Sequence, residues 1–148
     1  MAPLAFLVGG FLVLSLARRH WSVALRGGLA AMFTATGGAH FIGLREELVA
    51  MVPPALPAPE LLVTVTGVLE LAGAAALLWA RTAPWAAAGL GVLLVAMFPA
   101  NVYAARHGLS PSFGDQLVPR TLLQVVFLAA VAAVVAHHVR SRRAAIAP

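Results

Sequence analysis

Three long, predominantly apolar stretches, 61–80, 85–105 and 120–139, limit what this chain can fold into more than any other feature. Each is about twenty residues long, the length at which an α-helix crosses a hydrocarbon core of about 30 Å. Across the chain 61% of residues are apolar and only 10% are charged. A soluble domain carries roughly 25% charged residues, so this chain has too little polar surface to fold in water. The sequence predicts an all-α, polytopic membrane helix bundle.

Two further apolar segments precede these three. Segment 22–44 predicts another spanning helix, whose two Gly-Gly pairs permit close packing. Segment 3–17 has a length of only about 22 Å, so it spans only if Arg18 and Arg19 snorkel from its end. A cleaved signal peptide is the alternative for this segment, and the lack of a basic residue ahead of the apolar run disfavours it. The 148 residues are thus predicted to form a single membrane domain.

The basic residues, all of them arginines, fall mostly at one set of helix ends. The positive-inside rule then predicts a multi-pass protein with residues 140–148 as a basic cytoplasmic tail, and with the N-terminus outside if there are five spans. Because the arginines are spread singly and no recognition motif accompanies them, nucleic acid is excluded as a partner. The Arg-only composition is typical of a GC-rich bacterial gene, which indicates a bacterial cytoplasmic membrane. The arginines assigned to the cytoplasmic ends are Arg18, Arg19, Arg26, Arg81, Arg140, Arg142 and Arg143, against Arg45, Arg106 and Arg120 at the outer ends.

Glu70 is the most informative single residue, because it lies near the middle of segment 61–80. A charged side chain at that depth costs roughly 2.5–3.5 kcal/mol, so Glu70 is expected to face other helices. Thr66 and Gly67 precede it by one turn and offer room for a neighbouring helix. Two interpretations stay open: a structural carboxyl that hydrogen-bonds across the bundle, and a functional group.

Three polar residues fall about 6 Å below the outer boundary of their segments: His40, Asn101 and Gln124. They are expected either to line one polar cavity, with Arg120 at its mouth, or to lie separately at the interface. Tyr103 suits the interfacial aromatic belt. Pro99 releases the carbonyl of Val95 from its helical bond, and a nearby Asn or Tyr is expected to satisfy that carbonyl.

The composition also excludes several chemistries. The chain has no cysteine, which removes disulfides, thiolate metal sites and Cys-ligated clusters. His137 and His138 are adjacent and diverge by about 100° on a helix, so they do not make a bidentate metal pair. The sequence therefore predicts neither a metal site nor an intrinsic cofactor.

Several motifs together resemble the DoxX-like family of small bacterial membrane proteins. The resemblance runs from Arg26 into the fifth helix, and its most specific parts are the proline segment 51–57 and the Pro-Ala-Asn-Val-Tyr stretch 99–103. It implies a four-helix core to which segment 3–17 adds an N-terminal helix. The four prolines in positions 53–59 themselves favour an extended and stiff segment. Carried onto this chain, the family positions are Arg26, His40, Glu70, Asn101, Arg120 and Gln124.

The resemblance implies a role beside redox chemistry, because some family members are associated with quinone-linked oxidoreductase activity and others are membrane partners of redox proteins. The expected ligand is a small apolar molecule such as a quinone, contacted by the family positions and Tyr103. If the chain is enzymatic, it is expected to be a quinone-linked oxidoreductase subunit acting with a partner. Expected partners are the lipid bilayer, a soluble or membrane redox protein and a second copy of the chain. A non-catalytic scaffold and a carrier for a small solute or proton are the alternatives.

Overall fold

The computed structural model describes residues 2–16, 20–109 and 116–146. These residues form helices and connecting turns, with no β-strand among them, which confirms the all-α class. Arg18, Arg19 and residues 110–115 lie outside the described residues. The helices are α1 (Ala2–Leu16), α2 (Trp21–Ala39), α3 (Arg45–Ala50), α4 (Pro59–Leu77), α5 (Ala83–Arg106) and α6 (Leu117–Ile146).

Four of the helices close into a ring in which α2 packs on α4, α4 on α5, α5 on α6, and α6 back on α2. Helix α1 lies outside this ring against α2, and the short α3 packs beside the start of α4. The core inside the ring is apolar, since Leu29, Phe33 and Leu77 are fully buried there and Leu90 and Phe127 nearly so. The predicted helix bundle is therefore observed, with one N-terminal helix added to a ring of four.

Three described helices, α4, α5 and α6, are long and apolar enough to cross a membrane. Helix α1 is apolar but has only 15 residues. Helix α2 is continuous, but Arg26 and four glycines lower the hydropathy of its sequence. Five spans, the number predicted when both are counted, are therefore not supported by length and hydropathy. Many large apolar side chains point outward from the three long helices, among them Val92, Leu122 and Leu61. Such an apolar exterior is expected of helices that face lipid tails.

Helix α2 holds the bundle together because it presents glycines on two opposite faces. Positions 28 and 37 differ by nine residues, which at about 100° per residue places them roughly 180° apart. A Cβ at Gly28 would lie 2.5 Å from the carbonyl oxygen of Leu7 in α1, and a Cβ at Gly37 would lie 3.0 Å from Glu70 Cβ in α4. Only glycine lets both neighbouring helices approach this closely.

The connection between α2 and α4 differs from the sequence prediction at both of its ends. Helix α2 ends at Ala39 rather than at residue 44, and residues 40–44 form a turn in which Gly43 has a φ of +79°. The proline segment is not extended: the Leu56 amide donates to the Pro53 carbonyl at 2.9 Å, which closes a turn. Pro54 occupies the second position of that turn, where its fixed φ is favourable. This part of the chain folds back on itself before α4 begins.

Helix α6 extends beyond the predicted segment 120–139 at both ends. Its last turns include Arg140, Arg142 and Arg143, so residues 140–146 of the predicted tail are helical. Arg and Ala are strong helix formers, and residues 140–146 contain neither Gly nor Pro to end the helix earlier.

Candidate functional site

Glu70 is buried between α4 and α2, with 4% of its surface exposed. The Thr36 hydroxyl on α2 donates a hydrogen bond of 2.5 Å to Glu70 Oε2. The other carboxyl oxygen, Oε1, lies 3.9 Å from Nε2 of His40. The expectation that Glu70 faces another helix is thus confirmed, and the carboxyl is contacted by two polar side chains from the same neighbour.

His40 caps the end of α2 and is 3% exposed. Its Nδ1 lies 2.8 Å from the carbonyl oxygen of Val63 and 3.3 Å from the Thr66 hydroxyl. A carbonyl oxygen only accepts, so Nδ1 must carry a proton in this bond. In the neutral ring Nε2 is then the unprotonated atom, and it faces Glu70. The pair can hold one proton in two ways, on the carboxyl or on Nε2.

The close crossing of α2 and α4 brings this cluster together. A Cβ at Gly67 would lie 2.6 Å from His40 Cβ and 2.9 Å from its Cγ. The imidazole of His40 therefore packs where a side chain at position 67 would lie. We refer to Thr36, His40, Thr66 and Glu70 as the carboxyl cluster.

Arg45 fastens the outer end of the carboxyl cluster. Its guanidinium donates to the carbonyl of His40 at 3.2 Å, to the hydroxyl of Thr64 at 3.0 Å and to the carbonyl of Glu60 at 3.4 Å. One side chain thus joins the end of α2 to the first turns of α4. Sequence reasoning placed Arg45 only in a loop, and it overlooked Thr36. The four-residue spacing of Thr36 and His40, which puts both on one face of the helix, was the available signal for Thr36.

The remaining outer candidates lie between α5 and α6. Arg120 Nη1 donates to Asn101 Oδ1 at 2.8 Å, and Gln124 Nε2 donates to the carbonyl oxygen of Leu94 at 2.7 Å. Gln124 is buried, with 8% exposure. Gln124 therefore bonds to the carbonyl one residue before that of Val95, the carbonyl that Pro99 leaves without its helical partner. The hydrogen bonds place His40 in one group and Asn101 and Gln124 in another.

An apolar groove of about 620 Å³ lies on the exterior of the bundle, along the line where α5 packs against α6. Its lining side chains are Ala, Gly, Val and Leu only: Ala87, Ala88, Gly91, Val92, Val95 and Ala96 of α5, and Leu128, Val131, Ala132 and Val135 of α6. Small residues at Gly91, Ala96 and Ala132 create its depth. Gln124 lies one helical turn before the lining residue Leu128, so one end of the groove lies near the polar side chains of Gln124 and Arg120.

The last two candidates lie apart from these groups. The Tyr103 ring stacks at 4.1 Å on His107 in the last turn of α5. Arg26 lies at the opposite end of the bundle, where it lines a smaller cleft with His137 and His138. Among the described residues, no three potential metal-binding side chains come together.

Comparison with known proteins adds the family. No curated protein and no solved structure matches the chain. A family model described as a domain of unknown function, DUF8561, matches residues 29–136. The matched range begins inside α2 and ends inside α6, so it contains the carboxyl cluster and the α5–α6 groove and leaves α1 outside. The chain belongs to the DUF8561 family.

Proposed function

We propose that this chain is a multi-pass protein of a bacterial cytoplasmic membrane that binds a small apolar molecule of the quinone class in the α5–α6 groove. The observation that supports this most is the groove itself, whose volume of about 620 Å³ falls in the range of small-molecule sites. Its lining is entirely apolar and its outer end lies beside polar side chains. A quinone likewise combines an apolar part, its isoprenoid chain, with a polar part, its ring carbonyls.

The polar end of the groove suits the ring of such a ligand. Arg120 and Asn101 are partly buried and already paired, which holds both side chains in a defined orientation. Gln124 is anchored to the Leu94 carbonyl and fixes the neighbouring turns of α5 and α6. A ring carbonyl accepting from the guanidinium or the carboxamide would be oriented without new ordering of these side chains.

In this proposal the carboxyl cluster is the proton-holding element of the bundle. The sequence has no cysteine to ligate an iron–sulfur cluster, and in this proposal the electrons come from a redox partner. The chain then serves as the membrane partner of that system. Its kinship to the DoxX-like family, suggested by the motifs in α2, α5 and the proline segment, belongs to the same proposal.

The proposed orientation puts the C-terminus in the cytoplasm, with α2 as a further membrane helix. Arg81, Arg140, Arg142 and Arg143 lie at the bundle end where α4 ends and α6 finishes. Exposed Trp21, Trp79 and Trp85 ring the same end, as expected for residues at a membrane interface.

A structural scaffold is the second candidate, and one observation favours it. Glu70, His40 and Gln124 are all buried and all contact groups within the bundle. Polar side chains paired in this way stabilise helix association whether or not a ligand binds.

Filling the groove separates the two candidates. We expect Ala132→Phe, which places a ring in the groove, to weaken binding of a short-chain quinone analogue at least about tenfold, because the ring takes the space of the ligand. Ala129→Phe is the matched control, since Ala129 is exposed on the same helix and does not line the groove. Isothermal titration of the detergent-purified protein measures both. Equal affinity of the two variants, or no binding to the unmodified protein, would favour the scaffold.

A further inference from the structure

A second cleft, of about 270 Å³, lies at the arginine-rich end of the bundle. Its polar lining comes from the first turns of α2, with Ser22 and Arg26, and from the later turns of α6, with His137, His138 and Ser141. The start of α5 forms the remaining wall. Every polar side chain on this lining can donate a hydrogen bond, and none is an acid.

Arg26 has a donor that the protein leaves unused. Its Nε is buried, and no hydrogen-bond partner for that atom occurs within residues 2–16, 20–109 and 116–146. A buried guanidinium donor without a partner is unfavourable, because the atom has lost water and gained nothing in return. The Arg26 side chain also lines the cleft, so an acceptor bound there lies beside a guanidinium that is not fully hydrogen-bonded by the described residues.

No carboxylate lines the cleft among residues 2–16, 20–109 and 116–146. The chain's five acidic residues all fall between positions 46 and 115. Glu46, Glu47 and Glu60 belong to the opposite end of the bundle, and Glu70 is near the middle of α4. Among the described residues, the positive charge of Arg26 in the cleft thus faces no carboxylate, and the first turns of α2 and α5 add their partial positive charges.

The neighbouring aromatic side chains hold the wall of the cleft in place. The Trp21 ring packs edge-on against His137, with centroids 4.9 Å apart, and His20 lies 5.7 Å from the same imidazole. Exposed Trp21 also belongs to the interfacial ring of tryptophans at this end, the depth at which lipid phosphates lie.

We propose that this cleft binds a phosphate group, with Arg26 as its charged anchor and with Ser22, His137, His138 and Ser141 as further donors. A guanidinium recognises phosphate oxygens in a fixed planar geometry, and the partly buried Arg26 presents one on a helix. The phosphate belongs either to the headgroup of an anionic phospholipid or to a soluble phosphate compound.

Native mass spectrometry of the full chain, released from detergent, tests the site. We expect the unmodified protein to retain phosphatidylglycerol in preference to phosphatidylcholine, and Arg26→Gln to bind it about tenfold more weakly, because a charge-assisted hydrogen bond is lost. Arg81→Gln is the matched control: it removes one exposed arginine at the same end and should change binding less than about twofold.

The second arm identifies the source of the phosphate. The melting temperature of the delipidated protein is measured with and without inorganic phosphate. A rise that Arg26→Gln abolishes indicates a soluble phosphate, whereas retention of phosphatidylglycerol without such a rise indicates a lipid headgroup. Binding of neither probe would overturn the proposal, as would equal losses in Arg26→Gln and Arg81→Gln. If Arg26→Gln does not fold, the double variant His138→Ala and Ser141→Ala replaces it, and unchanged phosphatidylglycerol binding by that variant overturns the site.

Discussion

Replacing Gly67 with alanine should lower the free energy of unfolding by about 1–3 kcal/mol, the range for overpacking a tight interface. The new methyl would lie 2.6 Å from His40 Cβ and 2.9 Å from the Phe41 ring, which is too close for either contact. His40 cannot simply turn away, because its Nδ1 is bonded to the Val63 carbonyl. The helices α2 and α4 must therefore separate, or the imidazole must leave its position.

Unfolding in a sodium dodecyl sulfate titration, followed by circular dichroism, measures this effect. Gly38→Ala is the matched control, because a Cβ at Gly38 meets nothing within 4 Å. That substitution should be neutral or stabilise α2 by up to about 1 kcal/mol, since alanine is the better helix former. Equal effects of the two substitutions would mean that α2 and α4 do not cross as described.

Glu70→Ala is the second substitution with a large expected effect, a loss of about 2–4 kcal/mol in the free energy of unfolding. It leaves a cavity between α2 and α4, removes the acceptor of the Thr36 hydroxyl and leaves His40 Nε2 facing the void. Glu70→Gln should recover most of the loss. The amide keeps the shape, supplies an oxygen for Thr36 and offers an N–H toward the imidazole.

The same titration in detergent measures both Glu70 variants, and the glutamine variant also distinguishes structure from function. If the carboxyl cluster holds a proton that is linked to ligand binding, Glu70→Gln should keep its stability while binding of the quinone analogue loses its pH dependence. If the carboxyl cluster is only structural, Glu70→Gln should be stable, and any binding of the quinone analogue should show the same pH dependence as in the unmodified protein. An alanine variant as stable as the unmodified protein would contradict the described contacts.

The architecture was predictable from sequence because lipid imposes a length on each helix. The segments around Glu70, Pro99 and Gln124 are apolar over about twenty residues, so their helix ends were placed to within three residues, except that α6 continues seven residues beyond position 139. The end of α2 was misplaced because Phe41, Ile42 and Leu44 continue the apolar run, whereas Gly43 at positive φ ends the helix. Hydropathy does not register a change of backbone conformation.

The candidate site was only partly predictable, for a different reason. Glu70 stood out because a carboxyl in a membrane helix must find partners, and the structure supplies them. The partners themselves depend on which helices touch. Thr36 contacts Glu70, and Arg45 contacts His40, because α2 and α4 cross at glycines. The depth of a residue in the membrane does not predict which helices pack together. Equal depth left open whether His40, Asn101 and Gln124 share one cavity or lie separately, and their hydrogen bonds fall on different helix pairs.

Photolabelling tests the central claim, a quinone-class site in the α5–α6 groove, most directly. A photoreactive quinone analogue is added to the membrane-embedded protein, irradiated, and the attachment points are mapped by peptide mass spectrometry. Labels concentrated in residues 87–96 and 128–135, displaced by excess unlabelled analogue and reduced in Ala132→Phe, are the predicted result. Labels spread evenly over the exterior, or concentrated around Glu70 between α2 and α4, would contradict it.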